Sequence, residues 1–474
     1  MLAQRIMAKN LLFYLLMMSA CGAAIALLLL VGVSHYGVGA ALAVTPPGAL
    51  STASQMHTPL ANLLLQIIVI VAAAKLVGAL FHRLGQPTVI GEIFAGVLLG
   101  PSLLGLISPQ LMDFLFPSAS LMPLKLLSQI GVLLFMFAVG MEVDAPALRR
   151  KAQSAIVVSH SSIVFPFLLG VLLALAGYRE LSPPTVPFTA FALFMGIAMS
   201  ITAFPVLMRI LQERNLIHTP LGQNALTCAA IDDVTAWCLL AVVIAIINAS
   251  GFADVWRTLA LTAGFIVLMV AVLRPLTERL IERRYTPGGP NAGLTTATLL
   301  LAMIGACSTE AIGIHAFFGA FLAGVIIPAQ SPFRSALGDQ LQTVSAVLLM
   351  PLFFAFSGLR TQVGLLDSVQ DWALCGLIIL VAVVGKLCGG MFAARWTGQS
   401  WRQAFAIGAL MNTRGLMELI VLNIGYDLGI LSPRVFTMLV IMALVTTVMT
   451  GPLLTLVLRR DEKYAADAVS ASQK

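Results

Sequence analysis

The sequence predicts an all-α polytopic membrane protein of about fourteen helices, built from two inverted six-helix repeats. Composition, apolar runs of spanning length and an internal echo of motifs together predict this class. Hydrophobic residues make up 59% of the 474 residues and charged residues only 10%, whereas a soluble domain carries about 25% charged residues. The net charge of +7 therefore indicates basic membrane-flanking loops rather than a nucleic-acid partner.

Apolar runs long enough to cross a bilayer define the predicted helices in chain order. They cover residues 11–33, 60–81, 87–106, 123–141, 153–177, 186–210, 220–247, 252–273, 292–313, 315–328, 342–360, 372–394, 402–425 and 434–458. With the N-terminus inside, every even-numbered loop is basic, as at Arg149–Lys151 and Arg283–Arg284. Because cytoplasmic loops carry an excess of Lys and Arg, we expect both termini, and the loops at 278–290 and 459–474, to be cytoplasmic.

The first apolar run has two interpretations. Its basic start resembles a secretory signal, and Met18–Cys21 faintly resembles a lipoprotein cleavage site. The run continues past Cys21, beyond the 7–15 residues of a signal core, which favours a retained helix. We therefore expect an extra N-terminal helix and external connector at 1–58, a transmembrane domain at 59–458 and a short cytoplasmic tail at 459–474.

Three motifs of the first half recur in the second half. FAGVLLGP (94–101) is echoed by FLAGVIIP (321–328), LFMFAVGM (134–141) by LFFAFSGL (352–359), and FMGIAMS (194–200), more weakly, by AIGALMN (406–412). Six helices at 60–247 would then match six at 292–458, with 252–273 as the connector. In the predicted topology, matching helices run in opposite directions. Such inverted repeats are typical of secondary transporters, whose sites lie near the bilayer midplane on interrupted helices.

Two helices at matching positions carry residues that should interrupt them in mid-membrane. In the first half Thr202 and Pro205 lie inside an apolar run, and the proline disfavours helix at the residue before it. In the second half Asn412, Thr413 and Arg414 lie at the same depth. A single proline kink would be unremarkable as packing, but two matching interruptions predict an ion-binding region.

Adjacent carboxylates at Asp232 and Asp233 are the most informative residues of the chain. A carboxylate at bilayer depth costs about 3 kcal/mol or more, so both need a partner charge, water or a transported ion. Neighbouring helical residues point about 100° apart, so the two carboxylates should face different surroundings. Lys386, also in an apolar run, is a candidate counter-charge for one of the two aspartates. Arg414 is the competing candidate, although Glu418 at i+4 is its natural local partner.

Several charged residues outside this group have a simpler interpretation. Glu92, Glu310 and His315 lie near helix ends and are expected to reach the membrane interface. The six cysteines lie in apolar segments without CxxC spacing, which is typical of buried packing residues. No phosphate-binding loop, metal-ligand cluster or nucleophile triad is present in the sequence, so we expect neither a cofactor nor an enzyme.

The motifs GEIFAGVLLGPSLLG (91–105), FAVGMEVD (137–144), IDDV (231–234) and MNTRGLMEL (411–419) resemble those of the monovalent cation:proton antiporter-2 family, over roughly residues 58–458. The resemblance implies a sodium/proton antiporter fold, in which a core with two crossed broken helices moves against a dimerisation domain, and hence a homodimer. It further implies that Asp233 carries the ion beside Asp232 and that Lys386 pairs with Asp232. The nucleotide-binding domain of Kef-type members and the long tail of the plant exchangers are not found in the sequence.

The expected function is therefore exchange of Na+ or K+ for H+ across the plasma (bacterial inner) membrane, with Thr202, Asn412 and Thr413 near the ion. Burial and a like-charged neighbour both favour the neutral form of a carboxyl group, so proton and cation can compete for Asp233. One site that must be occupied to cross then gives obligatory exchange. Because protonating Asp232 would break its pair with Lys386, and cation loading would restore it, we expect electrogenic transport with two protons carried inward per cation exported. The alternatives are a gated cation channel on the same fold and a non-transporting sensor.

Overall fold

The computed structural model describes residues 59–117, 120–142, 152–214, 216, 219–248, 252–286, 291–328 and 331–472. Regular structure within these ranges is entirely helical, as the apolar runs predict. The predicted helix at 11–33 lies outside the described residues. Packing divides the chain into two units, Met1–Val69 and Ile70–Lys474, and every contact described below lies within the second unit.

Nineteen α-helices are described. The first half contains α1 (Pro59–Arg83), α2 (Thr88–Leu99), α3 (Leu104–Ile107), α4 (Pro109–Leu115), α5 (Leu121–Glu142), α6 (Ala152–Leu181), α7 (Phe188–Ser200), α8 (Phe204–Glu213) and α9 (Pro220–Asn248). The connector contains α10 (Phe252–Val267) and α11 (Arg274–Arg284). The second half contains α12 (Ala292–Ile312), α13 (Ala316–Val325), α14 (Pro332–Val344), α15 (Met350–Leu359), α16 (Val369–Trp396), α17 (Trp401–Met411), α18 (Leu416–Asp427) and α19 (Pro433–Ser472).

The number of membrane-spanning helices in the described ranges agrees with the number predicted from the sequence. Eleven helical segments are long and apolar enough to cross a membrane, and the bent pair α17–α18 adds a twelfth. The short apolar helix α13 corresponds to the run predicted at 315–328. Thirteen of the fourteen predicted segments are therefore found, and the chain is an integral membrane protein.

The connector is longer than the sequence predicts. Its helix does not end near residue 273 but continues through a π-helical turn, Leu268–Leu273, into α11, so the loop expected at 278–290 begins only after Arg284. A second π-helical turn, Ser345–Leu349, precedes α15. Each is followed within two residues by a proline, Pro275 or Pro351. Because proline lacks an N–H and clashes with the preceding turn, a wider turn before it lets the helix continue.

Glycine contacts show how the two repeats pack together. Gly96 of α2 approaches Gly358 of α15 so closely that a Cβ on Gly358 would lie 2.2 Å from the Gly96 carbonyl carbon. The echoing glycines do the same, since a Cβ on Gly324 of α13 would lie 2.9 Å from the Gly140 Cα of α5. Each repeat thus packs its motif glycine against the other motif glycine of the opposite repeat. A two-fold relationship between the repeats produces this exchange.

Burial distinguishes the centre of the helix assembly from its periphery. The segment Phe188–Gln212, which contains the first predicted interruption, is 83% buried, whereas the connector Trp256–Arg284 is only 11% buried. Polar residues on the broken helix therefore face protein, and the connector's apolar side chains face outward, as lipid contact requires.

Candidate ion-binding site

The first interruption separates α7 from α8 by three extended residues, Ile201, Thr202 and Ala203. Pro205 occupies the first turn of α8, where its missing N–H is not needed for the helix. All three extended residues are buried. The interruption predicted from Thr202 and Pro205 is therefore present at the predicted place.

The second interruption lies between α17 and α18 and bends the pair by 43°. It consists of Asn412, Thr413, Arg414 and Gly415, all buried. Gly415 has φ +153° and ψ −121°, a conformation that only glycine adopts without strain. A Cβ there would also lie 2.9 Å from Cγ2 of Val206 on α8, so both the backbone and the crossing helix require glycine.

The two interruptions cross and are hydrogen-bonded to each other. The backbone N–H of Ala203 donates to the carbonyl oxygen of Thr413 at 2.9 Å, and the hydroxyl of Thr202 donates to the carbonyl oxygen of Met411 at 3.0 Å. Unwound backbone in a membrane must find such partners because lipid offers none. Each interruption therefore supplies hydrogen-bond partners for polar groups that the other leaves unpaired.

Arg414 contacts the buried carboxyl end of α7. Its guanidinium donates to the carbonyl oxygens of Ala198 (2.7 Å) and Met199, among the last of that helix, and it forms an ion pair of 2.6 Å with Glu418. A cation at the carboxyl end of a helix offsets its dipole. Both Nη atoms of Arg414 are thus used by α7 and Glu418, whereas its Nε has no hydrogen-bond partner among the described residues.

Asp232 is held by groups from two other helices. The Lys386 ammonium of α16 lies 3.0 Å from Oδ2 of Asp232, and both side chains are fully buried. The same ammonium donates to the hydroxyl of Thr202 at 2.7 Å, and Ser162 of α6 donates to Oδ1 of Asp232 at 3.3 Å. The carboxylate charge of Asp232 is therefore balanced inside the protein, and Lys386 rather than Arg414 lies against it.

Asp233 has a different environment. It is 1% exposed, and within the described part of the chain neither of its carboxylate oxygens makes a hydrogen bond of normal geometry. The backbone N–H of Phe204, at the start of α8, is directed toward it, and the charges of Asp232 and Lys386 act on it electrostatically. A buried carboxyl with no fixed partner is expensive to keep unless it binds something else.

Two further oxygen atoms of the second interruption are also unused. Asn412 donates through Nδ2 to the carbonyl of Thr446 at 3.4 Å, but its Oδ1 has no partner among the described residues, and neither has the hydroxyl of Thr413. Neither residue hydrogen-bonds to Asp233. The structure thus joins Asp232 to Lys386 and Lys386 to Thr202, and it places Asn412 and Thr413 in the crossing without a hydrogen bond to either aspartate.

A cavity of about 420 Å³ reaches this crossing from one end of the helices. Its walls include Pro205 of α8 and Leu416 of α18, which lie just beyond the two interruptions, and Glu142 at the end of α5. Glu92 also lines the cavity. Its place near a helix start predicted that its side chain would reach the membrane interface, but the side chain is buried. Glu92 is 4% exposed and pairs with Lys75 at 3.2 Å. The cavity is a path for water or ions to one side of the crossing.

The sequence analysis missed two features of the site: the residue Ser162, and the contact that Arg414 makes with α7. Ser162 is one of many serines in apolar runs and gave no signal. The contact of Arg414 with two α7 carbonyls follows from the crossing itself, so only the unusual depth of the arginine could have indicated it.

Comparison with known proteins gives a consistent result. The model of the family described as "Sodium/hydrogen exchanger, transmembrane" matches residues 68–460. The Na(+)/H(+) antiporter NhaS4 of Synechocystis is 45% identical over 392 residues, which are 82% of this chain and 96% of that protein. The K(+)/H(+) antiporter 1 of Saccharomyces cerevisiae is 34% identical over 428 residues, 88% of this chain, and Cation/H(+) antiporter 19 of Arabidopsis thaliana is 39% identical over 424 residues, 89% of this chain. The chain spans 49% and 52% of those two proteins' lengths.

The fold has a counterpart among solved structures. The sodium proton antiporter MjNhaP1 of Methanocaldococcus jannaschii superposes with a TM-score of 0.61 over 84% of this chain and 97% of that one, at 14% sequence identity. An identity this low supports the fold alone. The family match and the relatives carry the assignment further: this chain belongs to the sodium/hydrogen exchanger transmembrane family.

Proposed function

We propose that the protein is a secondary antiporter that exchanges a monovalent cation, Na+ or K+, for protons, with both ions competing for Asp233. The observation that carries the proposal is the contrast between the two aspartates. Asp232 is neutralised by Lys386, whereas Asp233 is buried without an ion pair, and among the described residues neither of its carboxylate oxygens makes a hydrogen bond of normal geometry. The names of the relatives, which include both Na+ and K+ exchangers, support the same reaction.

Competition follows from the charge of the site. With Lys386 and Asp232 paired, an ionised Asp233 leaves the crossing with one uncompensated negative charge. Either a bound proton or a bound monovalent cation removes it, and an empty site leaves a buried charge that is costly in a low-dielectric interior. The protein should therefore change its open side only when loaded, which couples the two fluxes.

Hard monovalent cations prefer oxygen ligands, and the crossing offers several. We propose that the Asp233 carboxylate is the charged ligand and that Asn412 Oδ1 and the hydroxyls of Thr413 and Thr202 complete the coordination as the helices adjust. Support comes from the free lone pairs of Asn412 and Thr413. Thr202 is the least available, because its hydroxyl already contacts Lys386 and the Met411 carbonyl.

The test is cation-induced proton release from acidified everted vesicles, with NaCl and KCl compared across a pH series. Asp233→Asn should abolish the response to either salt while inserting normally, because an amide cannot exchange a proton. Asp113→Asn, which removes an exposed carboxylate on α4, is the matched control and should respond like wild type. Normal exchange by correctly inserted Asp233→Asn would refute the assignment, and cation flux insensitive to a proton gradient would indicate a channel.

We also propose that the protein is a homodimer in the plasma (bacterial inner) membrane with both termini in the cytoplasm. The basic loops support the orientation, and the family resemblance supports the dimer. With this orientation, the cavity at Glu142 faces the cytoplasm, since α5 ends there and the basic segment 149–151 follows.

Cysteine labelling tests the orientation. A cysteine at Thr286, directly after the basic end of α11, should react with a membrane-impermeant maleimide in everted vesicles but not in intact cells. A cysteine at Gln362, after α15, should show the opposite pattern. Labelling of Thr286→Cys from outside intact cells would overturn both the orientation and the inverted relationship of the repeats.

A further inference from the structure

Three helices that line the cavity are joined by charged side chains at their other ends. The cavity lies at the carboxyl end of α5 and at the amino ends of α15 and α18, near Glu142, Met350 and Leu416. Lys125 lies 17 residues before Glu142 on α5, which at 1.5 Å per residue is about 25 Å along the helix. Arg360 follows the last residue of α15, and Asp427 is the last residue of α18.

Asp427 bridges these ends. Its Oδ2 lies 2.9 Å from the Lys125 ammonium and its Oδ1 lies 2.8 Å from Nη2 of Arg360. Each carboxylate oxygen therefore holds a cation from a different helix. We call the residues Lys125, Arg360, Asn423 and Asp427 the Asp427 cluster.

Arg360 fixes a second side of the cluster. Its Nη1 donates to Oδ1 of Asn423 at 2.9 Å, and Asn423 donates to the Ser357 hydroxyl of α15 at 2.7 Å. The guanidinium also lies over the ring of Tyr426, 5.0 Å from its centroid. Its planar shape allows hydrogen bonding and stacking together. The contact between α15 and α18 is thus specific and made of several parts.

We propose that the Asp427 cluster is a gate that positions α18 against α5 and α15, and so holds the transport cycle in the state whose cavity opens at Glu142. The helix α18 begins at the second interruption. Opening the crossing to the other side requires the Asp427 end of α18 to separate from α5 and α15, which breaks both ion pairs. Asp427 is a positioning residue in this proposal, which rests on the proposed exchange function.

The side chains of the cluster remain partly exposed, with Lys125 at 24%, Arg360 at 15% and Asp427 at 32%. Pairs of this kind are individually weak, which suits a gate that must open in every cycle. Removing both pairs should shift the equilibrium between the two states by about tenfold. A state populated at roughly nine-tenths would then fall to about half.

The experiment measures access to the cavity in the full-length protein in proteoliposomes. A cysteine is placed at Ala138, a cavity-lining residue, and its reaction rate with a small water-soluble maleimide is compared with that of protein lacking this cysteine. In the Asp427→Asn background the rate should fall about twofold, and the apparent KM for cation on the cavity side should rise in proportion, with kcat maintained. Asp427→Glu should restore both values. Lys125→Met, which removes one pair only, should give the same changes at smaller size.

The matched control is Arg434→Gln. Arg434 pairs with Asp371 at the same end of the helices, but this pair joins α16 to α19, and neither residue lines the cavity. Labelling and KM should therefore be unchanged. Wild-type labelling in folded Asp427→Asn, faster labelling, or an equal change in Arg434→Gln would overturn the gate. Because the labelling assay needs no transport, it can refute the gate while the proposed exchange at Asp233 still stands. Equally, the flux assay on Asp233→Asn can refute the exchange site without refuting the gate.

Discussion

Replacing Lys386 by methionine tests whether the Asp232–Lys386 pair is the charge partnership on which the site depends. Methionine keeps the length and apolar stem of the side chain but removes the ammonium. The Asp232 carboxylate would then be left fully buried with only the 3.3 Å contact from Ser162. Removing one partner of a buried pair costs about 3–5 kcal/mol, because the other charge is left uncompensated.

The magnitude expected for the pair comes from a double-mutant cycle. Asp232→Asn alone strands the lysine and should cost a similar amount. The double variant buries no charge at this position, so it should cost no more than either single variant, which corresponds to a coupling energy of at least about 3 kcal/mol. The control for stability is Lys125→Met. Its pair with Asp427 spans 2.9 Å, and both side chains are partly exposed, at 24% and 32%, so the expected loss of stability is at most about 1 kcal/mol.

The assay is thermal unfolding of purified protein in detergent, alongside cation-dependent proton flux in vesicles. Lys386→Met should lower the melting temperature by several degrees and weaken or uncouple exchange. Additive effects of Asp232→Asn and Lys386→Met would refute the pairing. Strong coupling of Asp232 to Arg414 instead would assign the partnership to the arginine, against the geometry in which Arg414 contacts Glu418 and α7.

Two further predictions concern the second interruption. Gly415→Ala should cost at least about 2 kcal/mol in thermal stability and impair exchange, because φ is +153° and a Cβ would lie 2.9 Å from Val206. The control Gly364→Ala should leave stability unchanged, because the space around Gly364 is open. Equal melting temperatures for the two variants would contradict the argument. Arg414→Lys should insert into the membrane but lose most proton flux, because one ammonium cannot reproduce the contacts of a planar guanidinium. The control is Arg395→Lys at an exposed position, which should keep its proton flux. Full activity of Arg414→Lys would show that the contacts with α7 are dispensable.

Much of the fold could be predicted because a membrane imposes length and polarity on every spanning segment. The interruptions were predictable for the same reason, since Pro205 and Arg414 conflict with an uninterrupted apolar helix. The π-helical turns were not predicted, although both precede prolines, because a proline alone does not say whether the helix ends or widens. Helix α11 was not predicted because its charged sequence has no apolar run.

The site was predictable only in part. Asp232, Asp233 and Lys386 stand out because each is a charge at bilayer depth. The hydrogen bonds of Arg414 to α7 depend instead on how helices distant in sequence approach each other. The same is true of the Asp427 cluster. Lys125, Arg360 and Asp427 lie near helix ends, where charges are ordinary, so the sequence gives no reason to group them. Their meaning appears only when the cavity is found at the opposite ends of the same helices.

The charge balance of the crossing connects the site to the stoichiometry we expect. If the Asp232–Lys386 pair persists throughout the cycle, only Asp233 changes partner, one proton exchanges for one cation, and transport is electroneutral. If the pair instead opens in the proton-loaded state, Asp232 takes up a second proton there and releases it when a cation binds and the pair re-forms, so two protons move per cation. The Thr202 hydroxyl provides a physical route for that coupling. It accepts from Lys386 and donates to the Met411 carbonyl beside Asn412 and Thr413, so a cation that draws the second interruption toward Asp233 would also move the lysine relative to Asp232.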